Sequence, residues 1–99
     1  MTLIISPKVR IKLADPDHQV SEAEIRQAFA NRVEIMVEDT RAWHKTNPPT
    51  LWFVAETDFG RRLKVMLVLH ANGDVEIKSA YSATVTVQGI YNNKVAKQK

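Results

Sequence analysis

Arg61, Arg62, Lys64 and Lys78 are the side chains whose type and spacing point most directly to chemistry. They cluster on one side of an alternating pattern in which only Glu56 and Glu76 offer neutralisation. Arginines of this kind suit bidentate phosphate contact, and they can stabilise the extra charge of a pentacoordinate phosphorus transition state. Trp52 and Met66 are embedded among the same cations, which suits a phosphate backbone and an unstacked base. Tyr81 and His70 are the neighbouring groups able to move protons. The plainer alternative is a half-solvated sheet face with Glu56 and Arg62 as a cross-strand ion pair.

The elements that must position these residues lie between Leu51 and Tyr81. Three runs rich in β-branched and aromatic residues are separated by two short Gly-containing breaks, which predicts a three-stranded antiparallel meander. A loop Asp58-Phe59-Gly60 with Gly60 left-handed pairs Ala55 with Leu63, Phe53 with Val65 and Leu51 with Leu67. A matching loop Ala71-Asn72-Gly73 pairs Leu69 with Val75 and Leu67 with Ile77. One face is then apolar throughout: Leu51, Phe53, Ala55, Leu63, Val65, Leu67, Leu69, Val75 and Ile77. The other carries Trp52, Val54, Glu56, Arg62, Lys64, Met66, Val68, His70, Glu76, Lys78 and Ala80. A one-residue slip would exchange the two sets, so the hydrophobic pattern selects this register.

Elsewhere the signals are local. Thr2 to Ile5 suits an edge strand. Ser6-Pro7 reads as an N-cap with proline at the first helical position, although Val9, Ile11 and Leu13 alternate as a strand would. Ser21-Glu22-Ala23-Glu24 is a capping box opening a helix to about Asn31, with Val20 and Ile25 as its hydrophobic staple. Val33 to Val37 predicts a strand running to Glu38-Asp39. Thr40 to Thr50, with Trp43, His44 and Asn47-Pro48-Pro49, predicts a loop. From Ala83 to Asn92 strand and helix both fit.

Ninety-nine residues suit one domain, and a hydrophobic share of 44% predicts a packed core. The formal charge of +3 permits a nucleic-acid or acidic partner without demanding one. No cysteine is present, which excludes disulfides and thiolate metal sites. His18, His44 and His70 match no zinc template, and Gly60, Gly73 and Gly89 form no phosphate loop, so neither metal nor cofactor is expected. Lys94, Lys97 and Lys99 mark a basic end expected to fray and given no site. No secretory leader or membrane-length apolar run is read, and a cytoplasmic location is expected.

The order of these pieces resembles the BrnT-like toxins of bacterial toxin–antitoxin pairs, within the RelE-type ribonuclease superfamily. The resemblance runs from about Lys8 to Tyr91. It is carried by His18-Gln19-Val20-Ser21 leading into Glu24-Ile25 and Ala28-Phe29, by Thr57-Asp58-Phe59-Gly60-Arg61 with Leu63 and Val65, and by Ile77, Ala80, Ala83 and Tyr91. It implies an α+β fold: a four- to five-stranded antiparallel sheet built on the 51–81 meander, two N-terminal helices on one face, and a short C-terminal helix. Lys8–Leu13 and Val85–Asn92 are then helices. The chain departs from the family pattern where an arginine usually ends the third meander strand, since Ser79-Ala80 is followed by Tyr81. The acidic residue usual before the closing tyrosine is also missing, with Gln88 nearest.

The resemblance implies a metal-independent RNA endonuclease that inhibits translation, cutting RNA through its internal 2′-hydroxyl. Arg61 or Arg62 would hold the scissile phosphate, Lys64 and Lys78 would supply field, and Tyr81 or His70 would move protons. Trp52, Arg62, Lys64 and Lys78 would bind RNA. The implied partners are an antitoxin and RNA, and the face bearing Trp52, Met66 and Val68 is expected to be covered by the antitoxin or a second copy. The rival expectation is a non-catalytic interaction domain that keeps the fold and a partner-binding sheet face.

Overall fold

The computed structural model describes residues 2–33, 35–41 and 47–98. The elements run β1 (Leu3–Ile4), α1 (Pro7–Ala14), α2 (Glu22–Asn31), β2 (Val37–Glu38), β3 (Thr50–Glu56), β4 (Arg62–Leu69), β5 (Val75–Ser82) and α3 (Val85–Gln98). The strands form one five-stranded sheet in the order β1-β5-β4-β3-β2. All neighbours are antiparallel except β1, which pairs in parallel with β5 at the edge and makes the sheet mixed.

The meander register is set by side-chain alternation. Leu51 faces Leu67, Phe53 faces Val65, Ala55 faces Leu63, Leu67 faces Ile77 and Leu69 faces Val75. Gly60 and Gly73 close the two loops at φ of 85° and 92°, a region where a side chain would strain the backbone. Phe53, Leu63, Val65, Leu67 and Ile77 are fully buried at the centre of the core, whereas Leu69, at the sheet's end, is exposed.

Beyond Ile77 the pattern changes. A β-bulge between Met66 and Leu67 leaves Lys78 without a partner, so Met66 faces Ser79, Val65 faces Ala80 and Lys64 faces Tyr81. The extra residue reverses the faces of the rest of β5. Ala80 therefore lies in the core, not on the outer face, and Tyr81 is carried to the outer face beside Lys64. The Lys78 carbonyl at the bulge accepts a hydrogen bond from Lys12 Nζ at 3.1 Å.

Both helical caps form as the sequence predicts. The Ser6 hydroxyl accepts the Val9 N–H, with Pro7 in the first turn, and Ser21 and Glu24 form a reciprocal capping box. Phe29 of α2 meets Phe53 edge-on, with ring centres 5.8 Å apart, which sets α2 on the core face. Strand β2 is shorter than the predicted Val33–Asp39 run. Within the predicted Thr40–Thr50 loop, Trp43 and His44 lie outside the described residues.

The C-terminal helix covers the opposite face. Thr84 accepts the Val87 N–H at its start, and Val87, Tyr91 and Val95 recur at a spacing of four to give one inward stripe. Tyr91 packs on Trp52 at 5.6 Å between ring centres and donates its hydroxyl to the Ile35 carbonyl at 2.7 Å. Trp52 and Phe53 are adjacent in β3 and point to opposite faces, so α3 lies across the sheet from α2. Burial pushes the Tyr91 phenol pKa up. No described helix is long and apolar enough to cross a membrane.

Candidate functional site

The outer face is half covered by its own chain. Trp52, Met66 and Val68 are only 7%, 8% and 4% exposed, which overturns the expectation that they lie exposed on this face. For Trp52 the physical reason is α3, which sets Tyr91 on its ring and continues past Asn92 to Gln98, bringing Val95 against the core as well. Trp52 thus offers packing and a ring face for Lys64, not an exposed platform for stacking a base.

The described residues leave a cleft of about 300 Å³ lined by Glu38, Asp39, Thr40, Arg41, Trp52, Lys64 and Lys94. Lys64 dominates it. Its ammonium sits 4.6 Å from the centre of the Trp52 ring and 5.8 Å from that of Tyr81. Rings attract a cation through their π faces but carry no countercharge. Among the described residues no carboxylate pairs with Lys64.

Arg41 forms the other wall. It grips buried Asp39 with two bonds, Nε to Oδ1 at 3.0 Å and Nη2 to Oδ2 at 2.7 Å. This hydrogen bond raises the Arg41 pKa further, with a smaller contribution from Tyr81. The guanidinium is thereby aimed while its side chain stays 46% exposed. Lys94 arrives from α3. Neither Arg41 nor Lys94 was singled out by sequence reasoning, because one lies in an irregular segment and the other in a tail expected to fray.

The structure separates the remaining sequence candidates. Arg61 is engaged inside the protein: Nε donates to Ser82 Oγ at 3.0 Å, Nη1 to Gln19 O at 2.7 Å, and Nη2 to His18 O at 2.9 Å. Nη1 also reaches both Glu24 carboxylate oxygens at 3.0 Å. It is a tie between the first meander hairpin and the start of α2, with all three guanidinium nitrogens donating inside the protein. Burial pushes the Glu24 carboxyl up, but hydrogen bonds from the Ser21 backbone and Arg61 outweigh it and leave the pKa lowered.

Arg62 faces Glu56 across the strand pair, as the register requires, yet no ion pair joins them among the described residues. His70 and Lys78 sit at the far end of the face. His70 Nε2 meets Glu76 Oε1 at 2.9 Å and Lys78 Nζ meets Glu76 Oε2 at 2.9 Å, so the three groups satisfy one another. At about 3.3 Å per residue along β4, His70 is roughly 20 Å from Lys64. His70 and Tyr81 therefore cannot serve one phosphate together.

A further pair lies beside Tyr81. His18 meets the Tyr81 ring edge-on at 6.1 Å, and its Nδ1 lies 2.7 Å from Asp15 Oδ1. Among the described residues, no group of three or more His, Cys, Asp or Glu could hold a metal ion. Comparison with family models, curated proteins and solved structures finds no match to this chain.

Proposed function

We propose that this chain is the toxin of a toxin–antitoxin pair, an RNA endonuclease that works without a metal and inhibits translation. The observation that carries the reading is Lys64: an ammonium held between two rings, with no carboxylate partner among the described residues, over a cleft that also presents Arg41 and Lys94. Such a cleft suits a polyanion. Lys64 holds the scissile phosphate and offsets charge gathering on it, and Tyr81 delivers a proton to the leaving oxygen. An antitoxin partner would inactivate the protein by setting acidic groups into the same cleft.

One observation favours a second reading, a non-catalytic interaction domain. Three of the sequence-predicted catalytic groups are satisfied internally, Arg61 by Glu24 and two carbonyls, His70 and Lys78 by Glu76. Induction in a naive bacterium separates the two. The wild-type gene arrests growth and fragments RNA, whereas Tyr81→Phe, which keeps the ring and removes only the hydroxyl, allows growth. Harmless wild-type induction with intact total RNA rejects the nuclease and leaves the interaction domain standing.

A further inference from the structure

The turn between α1 and α2 holds one imidazole in a fixed orientation. Asp15 Oδ1 accepts the backbone N–H groups of Asp17 and His18, each at 2.9 Å, and lies 2.7 Å from His18 Nδ1. The hydrogen bond from His18 is the main cause holding the Asp15 carboxyl below its ordinary pKa, so this acceptor stays ionised. From the other side, Arg61 binds the carbonyls of His18 and Gln19 and fixes the backbone there. Gln19 is the one non-glycine described residue with positive φ, at 50°, a conformation that persists where the surroundings impose it.

This arrangement selects a tautomer. With a carboxylate at Nδ1, the neutral ring carries its hydrogen on that nitrogen and leaves the lone pair on Nε2. Nε2 has no hydrogen-bond partner among the described residues, and the side chain is 20% exposed. The His18 ring and the Lys64 ammonium flank the same Tyr81 ring, at 6.1 Å and 5.8 Å from its centre.

We infer that His18 is the proton acceptor of this site, with Asp15 and Arg61 as the residues that position it. The inference rests on the RNA-cleaving reading above. His18 Nε2 takes the proton of the RNA 2′-hydroxyl, and that oxygen bonds to phosphorus as the bond from phosphorus to the 5′-oxygen breaks. The leaving 5′-oxygen takes the Tyr81 phenolic proton, leaving a phenolate beside Lys64. The imidazolium proton returns to the phenolate through solvent. The products are a 2′,3′-cyclic phosphate and a 5′-hydroxyl end, and every proton is accounted for.

The test uses the purified full chain and a short single-stranded RNA labelled at one end. Wild type yields the cyclic-phosphate product. His18→Gln loses about a hundredfold or more in rate at unchanged RNA affinity, and added imidazole restores part of the rate to His18→Ala. Asp15→Asn lowers kcat with little change in KM, since it disturbs only the orientation and tautomer of His18. Circular dichroism melts of each variant exclude unfolding as the cause. If wild type cleaves and His18→Gln cleaves equally well, or if imidazole restores nothing, His18 is not the acceptor and the ribonuclease reading survives. If wild type leaves the RNA intact, the ribonuclease reading fails and takes this inference with it.

Discussion

The two ends of the outer sheet face carry similar residue types and reach opposite electrostatic outcomes. At the end near the second hairpin loop, His70 and Lys78 close on Glu76, so the Lys78 charge meets its counterpart. At the other, Lys64 lies between Trp52 and Tyr81 with no carboxylate paired to it among the described residues. The lesson is that a cation becomes available to a ligand through what fails to pair with it, more than through its type or its place in a pattern. Arg61 makes the same point beside Arg62. The first is held by four internal acceptor groups, whereas the second faces a glutamate it does not bind.

The sharpest way to break this contrast is to neutralise one lysine at each end. Lys64→Met keeps a long apolar stem over Trp52 and removes the charge. We expect a loss on the order of 2.7–4 kcal/mol of transition-state stabilisation, two to three decades in RNA cleavage rate. Lys78→Met should leave most of the rate, because its charge is already matched by Glu76. Equal losses measured in one cleavage assay would show that the two ends act alike.

Arg61 tests the comparison through stability. Arg61→Ala strips hydrogen bonds from Ser82, Gln19, His18 and Glu24 at a partly buried junction, and we expect a cost of about 2–3 kcal/mol in urea unfolding. The tie to Glu24 also has a pH signature. The Glu24 pKa is lowered in the fold, so its contribution is full above the ordinary value of 4.5 and is lost as pH falls through the folded value. Glu24→Gln should therefore destabilise at neutral pH and flatten the acid limb of the stability curve. A stability near wild type for Arg61→Ala would return that arginine to the candidates for phosphate contact.

How far these features could be read from sequence depends on how local their causes are. The register up to Ile77 was legible because large apolar residues alternate without interruption and two glycines mark the turns. The bulge at Lys78 was not, since Ser79, Ala80 and Ser82 are small enough for either face and impose no pattern. Yet it is the bulge that delivers Tyr81 to Lys64. The role of Arg61 was hidden for another reason: its partners are 21 to 43 residues away in sequence, and composition does not register such distances. The cover over Trp52 was missed because the stripe Val87, Tyr91 and Val95 emerges only when the helix runs past Asn92.

The smallest expected effect comes from unpairing the quiet end. Hydrogen bonds from Lys78 first and His70 second hold the Glu76 carboxyl below its ordinary value of 4.5, so it is ionised at neutral pH. Glu76→Gln removes that charge and leaves the Lys78 ammonium uncompensated, as Lys64 is at the other end. If pairing is what distinguishes the ends, the variant should bind single-stranded RNA more tightly at low salt. Its affinity should also fall more steeply with salt, the slope in log affinity against log salt growing by about 0.7 for one added phosphate contact on a single strand. The stability cost should be small, about 0.2–1 kcal/mol, because all three side chains are partly exposed. A lowered carboxyl stabilises the fold above 4.5 and ceases to do so as pH falls through the folded value, so variant and wild type should converge in stability at acid pH. An unchanged salt slope in Glu76→Gln would mean that position on the face, not pairing, decides which lysine meets RNA.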